Sequence, residues 1–183
     1  MNTTDLSAYD NSWYNPGAGI VKRMLWYFTN HLVFNHGLLP FSLLKTSILR
    51  FFGARIGRGV HIKPSVNIKY PWLLEIGDYV WIGEKVWIDN LTDVKIGSNV
   101  CLSQGAMLLT GNHNYKKVKF DLMTGEIKIE DGVWIGAKAI VCPGVTCHDH
   151  SILGVNSVAA TDLVSHGIYR GNPAELIKKR KIG

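Results

Sequence analysis

The residue best suited to do chemistry in this 183-residue chain is His113, in the segment 110–115 (Thr-Gly-Asn-His-Asn-Tyr). Lysines follow it at positions 116, 117 and 119. A neutral imidazole can take a proton from a hydroxyl group near neutral pH, so His113 is a candidate general base. Asn112 and Tyr115, in the same segment, are candidates for substrate binding. The alternative is that His113 is only a polar loop residue.

Asp89, Asn90 and Asp93 form a second polar set, around the end of the unit Ile88-Asp89-Asn90-Leu91. An amide can donate to one oxygen and accept from another, which suits the orientation of a hydroxyl group. Asn90 is therefore a candidate contact for an acceptor, with Asp89 and Asp93 as further polar contacts. Alternatively, Asn90 is a turn residue that tolerates left-handed backbone angles.

A six-residue repeat positions these groups, and it is regular from Ile129 to Leu163. Glycines punctuate it at positions 132, 136, 144 and 154. A six-residue unit cannot bury its own apolar face, so such units must stack into a solenoid with one continuous core. The repeat therefore predicts a parallel β-helix. Its inward residues are Ile129, Ile135, Val141, Cys147, Leu153 and Ala159.

The repeat begins earlier with a longer period. Ile56, Ile76 and Ile96 are twenty residues apart, which three hexads and a two-residue insertion explain. The register lapses after Leu108 and returns at Ile129. Because a long loop that leaves a regular scaffold is usually functional, we predict an excursion loop over 109–128 that carries the candidate base.

The N-terminal quarter differs in kind. Polar residues and Pro40 interrupt its uncharged run from Met24 to Leu44, so a transmembrane span is not expected. Two short helices are predicted instead, one from about Gly19 to Phe34 and one from near Pro40 to Gly53. The second helix places four apolar residues along one stripe, namely Phe41, Leu44, Ile48 and Phe51.

Two interpretations of these helices remain open. They can cap the exposed end of the solenoid, which every repeat protein must cover. Alternatively, their aromatic face rests on an anionic membrane as a peripheral contact, because basic residues flank it. Those residues are Lys22, Arg23, Lys45, Arg50 and Arg55.

Two motifs carry a resemblance to a known family. The run from Ile135 to Val145 (Ile-Gly-Ala-Lys-Ala-Ile-Val-Cys-Pro-Gly-Val) resembles the signature of the hexapeptide-repeat acyltransferases, and Gly171-Asn172-Pro173-Ala174 resembles their closing motif. Over about 56–179 the chain is similar to the maltose/galactoside O-acetyltransferase branch, and most of all to its colanic acid biosynthesis acetyltransferases. The resemblance implies a mainly β fold, a left-handed parallel β-helix with an N-terminal helical cap and a short C-terminal helix.

The resemblance also implies a chemistry. Acetyl would pass from acetyl-CoA directly to a hydroxyl group of a sugar or polysaccharide precursor, in a ternary complex. His113 matches the family's catalytic histidine, and Asn90 resembles its acceptor-facing asparagine. Relatives are homotrimers with the active site between subunits. The residues implied for acetyl-CoA are Trp134, Gly136, Ala137, Val155, Asn156, Ala160, Thr161, Arg170, Lys178 and Lys179.

Some positions depart from the family pattern. Many relatives have Gly where this chain has His148, and a Thr-Lys-Asp run where it has Ala160-Thr161-Asp162. The lysine of that run is missing here, and Arg170 supplies a cation where a small residue is usual. The detailed coenzyme contacts are therefore expected to differ from those of relatives.

Composition sets limits on the remaining classes. The length fits one structural domain, with a cap segment at 1–54, a β-helix at 55–169 and a basic tail at 170–183. The formal charge of +6 suits an anionic cofactor, but no basic stripe with stacking residues predicts nucleic-acid binding. Three cysteines, including the inward Cys147, indicate a reducing, cytoplasmic setting rather than disulfides or a catalytic thiol.

Two alternative functions stay open beside the acetyltransferase. A carbonic anhydrase-like enzyme would need three convergent histidines, whereas His148 and His150 lie about two coils from His113, so no metal is expected. The other alternative is a non-catalytic solenoid used for assembly. The sequence leaves open which acceptor, which hydroxyl and which acyl group are used.

Overall fold

The computed structural model describes residues 3–37 and 39–183. Helix α1 (Ile20–Thr29) continues into a π-helical turn (Asn30–Phe34), and helix α2 (Ser42–Phe51) follows. Short 3-10 turns lie at Leu6–Ala8 and Pro71–Leu73. Both predicted N-terminal helices are therefore present. Within the described residues, no helix combines the length and the apolar character needed to cross a bilayer.

Short parallel strands form three sheets that we call A, B and C. Sheet A contains β1 (Arg55–Ile56), β4 (Leu74–Ile76), β7 (Val94–Ile96), β12 (Ile127–Ile129) and β15 (Thr146–Cys147). Sheet B contains β2 (His61–Ile62), β5 (Trp81–Ile82), β8 (Cys101–Leu102), β13 (Trp134–Ile135), β16 (Ile152–Leu153) and β18 (Gly167–Arg170), with β19 (Glu175–Lys179) at its edge. Sheet C contains β3 (Asn67–Ile68), β6 (Trp87–Asp89), β9 (Met107–Leu109), β14 (Ile140–Val141) and β17 (Val158–Ala159).

The chain visits sheets A, B and C in turn, once per coil, which confirms the predicted parallel β-helix. Three corners separate the sheets. The B–C corner, between sheets B and C, lies at 103–106, 136–139 and 154–157. The C–A corner lies at 90–93, 110–126 and 142–145. The predicted excursion leaves at the C–A corner as an antiparallel hairpin of β10 (Gly111–His113) and β11 (Leu122–Thr124).

The core follows directly from the hexad spacing. Ile62 pairs in register with Ile82, and the same column continues through Leu102, Ile135 and Leu153. All five side chains are fully buried. Burying an aliphatic side chain of this size stabilises the fold by about 1.5–3 kcal/mol, so each inward column contributes substantially.

The two helices cover the first coil and satisfy its open strand edges. Arg50 donates to the carbonyl of Gly57 on the sheet A side, at 2.8 Å. Lys45 donates to the carbonyl of Lys63 on the sheet B side, at 2.9 Å, and the indole of Trp26 donates to Ile68 in sheet C, at 2.9 Å. One helical side chain therefore caps each of the three edges, as an exposed β edge requires.

Most of the predicted apolar stripe of α2 does not face the coils, although Ile48 packs partly buried against the core. Lys45, Thr46 and Leu49 are buried, while Phe51 is 84% exposed and Phe41 and Leu44 are also exposed. The coil edges offer carbonyl groups rather than apolar surface, so polar side chains turn inward. Burial lowers the pKa of Lys45, whose ammonium group is held by backbone oxygens.

The prediction of a C-terminal helix is wrong. Residues Glu175–Lys179 form β19, which pairs antiparallel with β18 and so extends sheet B. The physical reason is that β18 ends the stack with an unpaired edge, whose backbone groups need partners. Gly171, with φ of +101°, turns the chain back along that edge.

Candidate active site

The hairpin that carries His113 is anchored on the coil below it. Thr110 is fully buried at the neck, where its hydroxyl accepts from the amide of Leu91 at 2.8 Å and donates to the carbonyl of Asp89 at 3.0 Å. A Cβ atom on Gly111 would lie 2.5 Å from Leu91 Cδ1, so a larger residue there would require the Leu91 side chain to move. The neck is therefore fixed to the preceding coil.

His113 lies on β10 and is held by the returning half of the hairpin. Its Nδ1 atom is 2.9 Å from the carbonyl oxygen of Phe120, and its ring stacks on the Phe120 ring with centroids 4.5 Å apart and planes 7° apart. A carbonyl oxygen only accepts hydrogen bonds, so Nδ1 must carry the proton. In the neutral ring the lone pair then lies on Nε2, which is the form that a general base needs.

An N-terminal strap, residues 5–16, packs on this hairpin. The amide of Asp5 donates to the carbonyl of Val118 at 2.9 Å, and the Tyr9 ring lies 5.8 Å from the His113 ring. Farther along, the Tyr14 hydroxyl donates to the carbonyl of Leu91 at 2.7 Å. Burial and the neighbouring Tyr70 and Asp89 raise the pKa of Tyr14, which keeps it a neutral donor.

The strap was not predicted from the sequence, because all of 1–54 was assigned to the cap segment. A cluster of aromatic residues, Tyr9, Trp13 and Tyr14, was the available signal. It has no periodicity, and hence gave no indication of which part of the solenoid it would contact.

The Asn90 side chain is hydrogen-bonded within the fold, and its predicted contact with an acceptor stays a prediction. The side chain is 0% exposed. Its amide nitrogen donates to the carbonyl of Tyr70 at 2.6 Å, and its amide oxygen accepts from the Tyr70 amide at 3.0 Å. Both polar atoms therefore bond to Tyr70 in the preceding coil. Asn90 thus stabilises the stacking of these two coils.

Asp89 is better placed than Asn90 to contact an acceptor, because it lies half-buried in a cleft between α1 and the outer face of sheet C. The cleft has a volume of about 500 Å³. Lys69 pairs with Asp89 there at 2.9 Å. The buried Nε atom of Arg23 also lies in the cleft, without a hydrogen-bond partner among the described residues. Trp87 adds an aromatic wall.

The remaining predicted acceptor residues separate into two groups. Asn112 is next to His113 on β10, and its side-chain oxygen accepts from the His113 amide at 2.8 Å. Tyr115 is exposed on the turn of the hairpin. Asp93 is exposed just before β7, on the sheet A side of the C–A corner. The structure thus places Asn112 and Tyr115 on the same hairpin as the histidine, whereas Asp93 lies one coil earlier at the same corner, toward sheet A.

A groove of about 860 Å³ lies along the B–C corner and the outer face of sheet B, beside β18 and β19. It contains cationic groups from Arg170 and Lys178 and no acidic side chain. Of the residues implied for acetyl-CoA, seven line it: Trp134, Gly136, Ala137, Val155, Asn156, Arg170 and Lys178. Ser103 and Gln104 line it as well, and the sequence analysis missed them although the repeat aligns them with Gly136 and Ala137.

The other three residues implied for acetyl-CoA lie outside the groove. Ala160 and Thr161 follow β17, one corner farther on. The Lys179 ammonium group donates to the carbonyl of Ser165 at 2.7 Å.

Gly136 lines the groove for a different reason from the one expected. A Cβ atom there would lie 2.7 Å from the Gly154 carbonyl carbon in the next coil. Coil stacking, rather than space for a thin ligand, therefore requires the glycine.

His113 and the groove occupy different corners of the same coils. The hairpin leaves at the C–A corner, whereas the groove follows the B–C corner, and sheet C separates the two. No residue of the hairpin lines the groove among the described residues. A single chain therefore holds the candidate base and the candidate cofactor groove apart.

The three thiols are poorly suited to nucleophilic chemistry. Burial raises the pKa of Cys101, Cys142 and Cys147, and nearby Asp162 and Glu130 raise that of Cys147 further. The thiols therefore stay protonated, whereas the thiolate is the reactive form.

Three of the other histidines contact each other or a carboxylate. His148 lies 3.1 Å from Glu130, and the His150 ring stands 4.9 Å from the His166 ring. In the part of the chain that the structure describes, no three potential metal ligands converge.

The outer faces of the three sheets differ in chemistry. On sheet A the outward column is Arg55, Glu75, Lys95, Lys128 and Thr146. On sheet B it is His61, Trp81, Cys101, Trp134, Ile152 and Ile168. On sheet C it is Asn67, Trp87, Met107, Ile140 and Val158. Sheet A is thus charged, while sheets B and C are largely apolar.

Comparison with curated proteins gives extensive matches to acetyltransferases. A protein from Escherichia coli K12 named "Putative colanic acid biosynthesis acetyltransferase WcaF" is 34% identical over 176 residues, which cover 96% of this chain and 97% of that protein. The galactoside O-acetyltransferase of the same organism is 26% identical over 164 residues, covering 88% and 81% of the two chains. A search of protein-family models found no match.

Solved structures share the fold. A hexapeptide-repeat acetyltransferase from Vibrio cholerae, complexed with acetyl-coenzyme A, superposes with a TM-score of 0.80 at 22% identity over 88% of each chain. A maltose O-acetyltransferase from Clostridium difficile 630 gives 0.76 at 24% identity, over 89% of this chain and 88% of that one.

Proposed function

Because the chain belongs to the hexapeptide-repeat acetyltransferases, we propose that it moves acetyl from acetyl-CoA to a hydroxyl group of a sugar or glycan precursor. The observation that carries the proposal is the hydrogen bond from His113 Nδ1 to the carbonyl of Phe120. This bond leaves Nε2 as the proton acceptor and fixes the orientation of the ring, so the base is prepared before the acceptor arrives.

The reaction is a direct transfer in a ternary complex. His113 Nε2 takes the proton of the acceptor hydroxyl while its oxygen attacks the thioester carbonyl carbon. The carbon–oxygen bond of the new ester forms, the carbon–sulfur bond breaks, and the proton on the imidazole passes to the leaving thiolate. No covalent enzyme intermediate is needed, in keeping with the protonated state of the three thiols.

Acetyl-CoA fits the groove at the B–C corner. Its apolar walls, Trp134 and Val155, suit the pantetheine arm, and its cations Arg170 and Lys178 suit the phosphates. A solved structure of the same fold is complexed with acetyl-coenzyme A, which supports this assignment. No step of the proposed chemistry calls for a metal ion.

A homotrimer would complete the site. Apolar outer faces on sheets B and C favour contact with other copies, while the charged face of sheet A favours solvent. In a closed ring, the C–A corner of one copy can meet the B–C corner of its neighbour. His113 of one subunit would then act on acetyl-CoA held by another.

The acceptor would lie below the hairpin, toward α1. Asp89 is one coil from the hairpin neck, since the amide of Thr110 donates to its carbonyl at 3.2 Å. Asp89, Lys69 and Asn30 offer polar contacts in the adjoining cleft, and Trp87 offers a face on which a sugar ring can stack. A glycan that binds there would present a hydroxyl group toward the hairpin.

An acceptor screen tests the function. Purified protein is incubated with acetyl-CoA and candidate sugars, oligosaccharides or other alcohols, and free thiol is measured. We expect thiol release with a sugar or glycan acceptor and a new ester in the product by mass spectrometry. Release that does not depend on any hydroxyl acceptor, or no binding of CoA at all, would overturn the proposal.

A subunit-mixing experiment tests the shared site. His113→Ala removes the base and Ala137→Glu blocks the groove, so each variant alone is expected to be inactive. When the two are co-expressed in equal amounts and assemble at random, about a quarter of all sites combine an intact histidine from one subunit with an intact groove from its neighbour. No recovery of activity would contradict a site shared between copies.

A further inference from the structure

Helix α1 presents its apolar side away from the coils. Trp26 is buried and bonded to the first coil on one side of the helix. Ile20, Met24, Phe28 and Leu32, spaced four residues apart on the opposite side, are all about half or more exposed. An amphipathic helix of a globular protein normally turns its apolar stripe inward, so this helix is inverted.

Helix α2 shows the same inversion. Lys45 and Leu49 face the first coil, while Leu43 and Phe51 are each 84% exposed. The two outward faces are continuous, because an apolar groove of about 640 Å³ lies between them. Its side chains come from Ile20, Val21, Lys22 and Leu25 of α1 and from Phe51 and Phe52 at the end of α2.

This outward face cannot be turned inward without loss of the coil cap. The bonds from Trp26, Lys45 and Arg50 to the carbonyls of the first coil fix which side of each helix contacts the coils. The apolar face therefore points away from the coils at the N-terminal end of the solenoid. We call it the cap face, formed by Val21, Leu25, Phe28, Leu32, Leu43 and Phe51.

The part of the chain around the cap face carries positive charge only. Residues 11–74 contain eight lysines and arginines and no aspartate or glutamate. Arg55, Arg58 and Lys69 pair with acids from the next coil. The other five have no acidic partner among the described residues. Lys45 is buried against the first coil, which leaves Lys22, Arg23, Arg50 and Lys63 as partly or fully exposed cations.

We propose that the cap face docks on an anionic lipid bilayer. Aliphatic and aromatic side chains on one side of a helix insert at the boundary between headgroups and acyl chains, and uncompensated cations nearby attract anionic headgroups. The cap has both features on one end of the molecule. A second protein with an apolar patch would match the face but not the excess positive charge around it.

This inference goes beyond the proposed acetyl transfer and does not depend on it. Docking through the cap would hold the solenoid axis away from the bilayer plane. The cleft that contains Asp89 adjoins α1 and would then lie close to the headgroups, with the hairpin farther out.

Vesicle sedimentation tests the proposal with the full chain. Vesicles of phosphatidylcholine mixed with phosphatidylglycerol are compared with vesicles of pure phosphatidylcholine. We expect binding to the anionic vesicles that weakens when salt is added, and much less binding to the neutral ones. Equal binding to both, or no binding to either, overturns the proposal.

Matched variants locate the surface. In Phe28→Gln/Phe51→Gln one exposed aromatic residue from each helix of the cap face becomes polar, and we expect at least tenfold weaker vesicle binding. Lys63→Gln should weaken it by about fivefold, as expected for one cation near an anionic surface. Ile182→Gln, an exposed apolar change in the C-terminal tail, is the control and should bind as the unmodified chain does.

Two further measurements separate the alternatives. Thermal unfolding checks that each variant is folded, and light scattering follows the size of the assembly. Vesicle binding that is intact in Phe28→Gln/Phe51→Gln would show that the cap face does not bind the bilayer. If the unmodified chain does not bind vesicles and this variant loses self-association, the cap face contacts a second copy of the chain instead. Thiol release with a water-soluble acceptor should be unchanged in these variants, so a failure of bilayer docking is distinct from a failure of the acetyl-transfer proposal.

Discussion

The ring of Tyr9 packs 5.8 Å from the ring of His113, although 104 residues separate them in the chain. The histidine therefore has a neighbour on each side, Phe120 within its own hairpin and Tyr9 from the N-terminal strap. This contact makes the strap part of the environment of the candidate base and not only a lead into the cap.

Loss of the Tyr9 ring should reduce turnover without weakening the cofactor groove. In Tyr9→Ala the histidine keeps its bond to Phe120 but loses a packing neighbour, and small displacements of a base cost about tenfold or more in kcat. KM for acetyl-CoA should not change, because Tyr9 does not line the groove. Leu6→Ala, at an exposed site in the same strap, is the matched control. A rise in KM for acetyl-CoA with constant kcat would contradict this role.

Removal of the His113 imidazole should affect chemistry far more than stability. General-base catalysis contributes about 10²–10⁴ in rate, so kcat of His113→Ala should fall by that factor. The side chain is only half-buried, and thermal unfolding should move little. Lys116→Ala, at an exposed position of the same hairpin, controls for changes of the loop surface. Full turnover in a folded His113→Ala protein would remove the histidine from the mechanism.

Asn90→Ala should damage the fold rather than acceptor binding. The substitution removes both bonds to Tyr70 and leaves the buried backbone groups of that residue without their partner. Each such loss costs about 1–3 kcal/mol, so urea unfolding should shift to clearly lower concentration. Asn112→Ala, at an exposed amide, should leave unfolding unchanged. A stable Asn90→Ala protein with a raised acceptor KM would support the original prediction for Asn90.

The cationic groups of the groove should set the affinity for acetyl-CoA. Lys178→Gln and Arg170→Gln each remove one charge that can meet a phosphate, which is worth about 1.5–3 kcal/mol when the pair is well formed. KM for acetyl-CoA should rise with little change in kcat. Lys179→Gln is the matched control, because Lys179 bonds to Ser165 and lies outside the groove. Equal effects from Lys179→Gln and Lys178→Gln would show that only overall charge matters.

Lys45 should give the unfolding free energy a dependence on alkaline pH. Burial lowers its pKa below the ordinary 10.5. Between the lowered pKa and 10.5 the unfolded chain binds more protons than the folded chain, so this group makes stability rise with pH there. Below the lowered pKa both states are protonated, and the group adds no pH dependence.

Lys45→Met provides the test. The carbonyl of Lys63 loses its partner, which should cost about 1–3 kcal/mol at neutral pH, and the deficit relative to the unmodified chain should grow at alkaline pH. Urea unfolding at both pH values measures it. Lys63→Met, at an exposed position, is the control and should show no growing deficit. A deficit that shrinks as the pH rises would contradict a lowered pKa for Lys45.

Periodicity explains what the sequence determined by itself. The step of six residues specifies which side chains point inward, so the β-helix, its buried columns such as Ile62 and Ile82, and an excursion after Leu108 could all be predicted, while the strand in fact runs to Leu109. Most of the groove residues were expected from the resemblance to the acetyltransferases, and the repeat explains why they lie together, since residues at equal positions in successive hexads share a corner. Short-range spacing is enough for these features because each coil stacks only on its neighbours.

Only the tertiary structure determined which polar groups form hydrogen bonds inside the fold and which remain on the surface. Asn90 is bonded across two coils, the strap reaches His113 from the other end of the chain, β19 pairs with an edge instead of forming a helix, and the cap turns Lys45 inward and Phe51 outward. Each outcome depends on backbone donors and acceptors that become unpaired only when the coils are assembled. A buried polar group must find a partner wherever the fold offers one, and the local pattern of residues does not record where that partner lies.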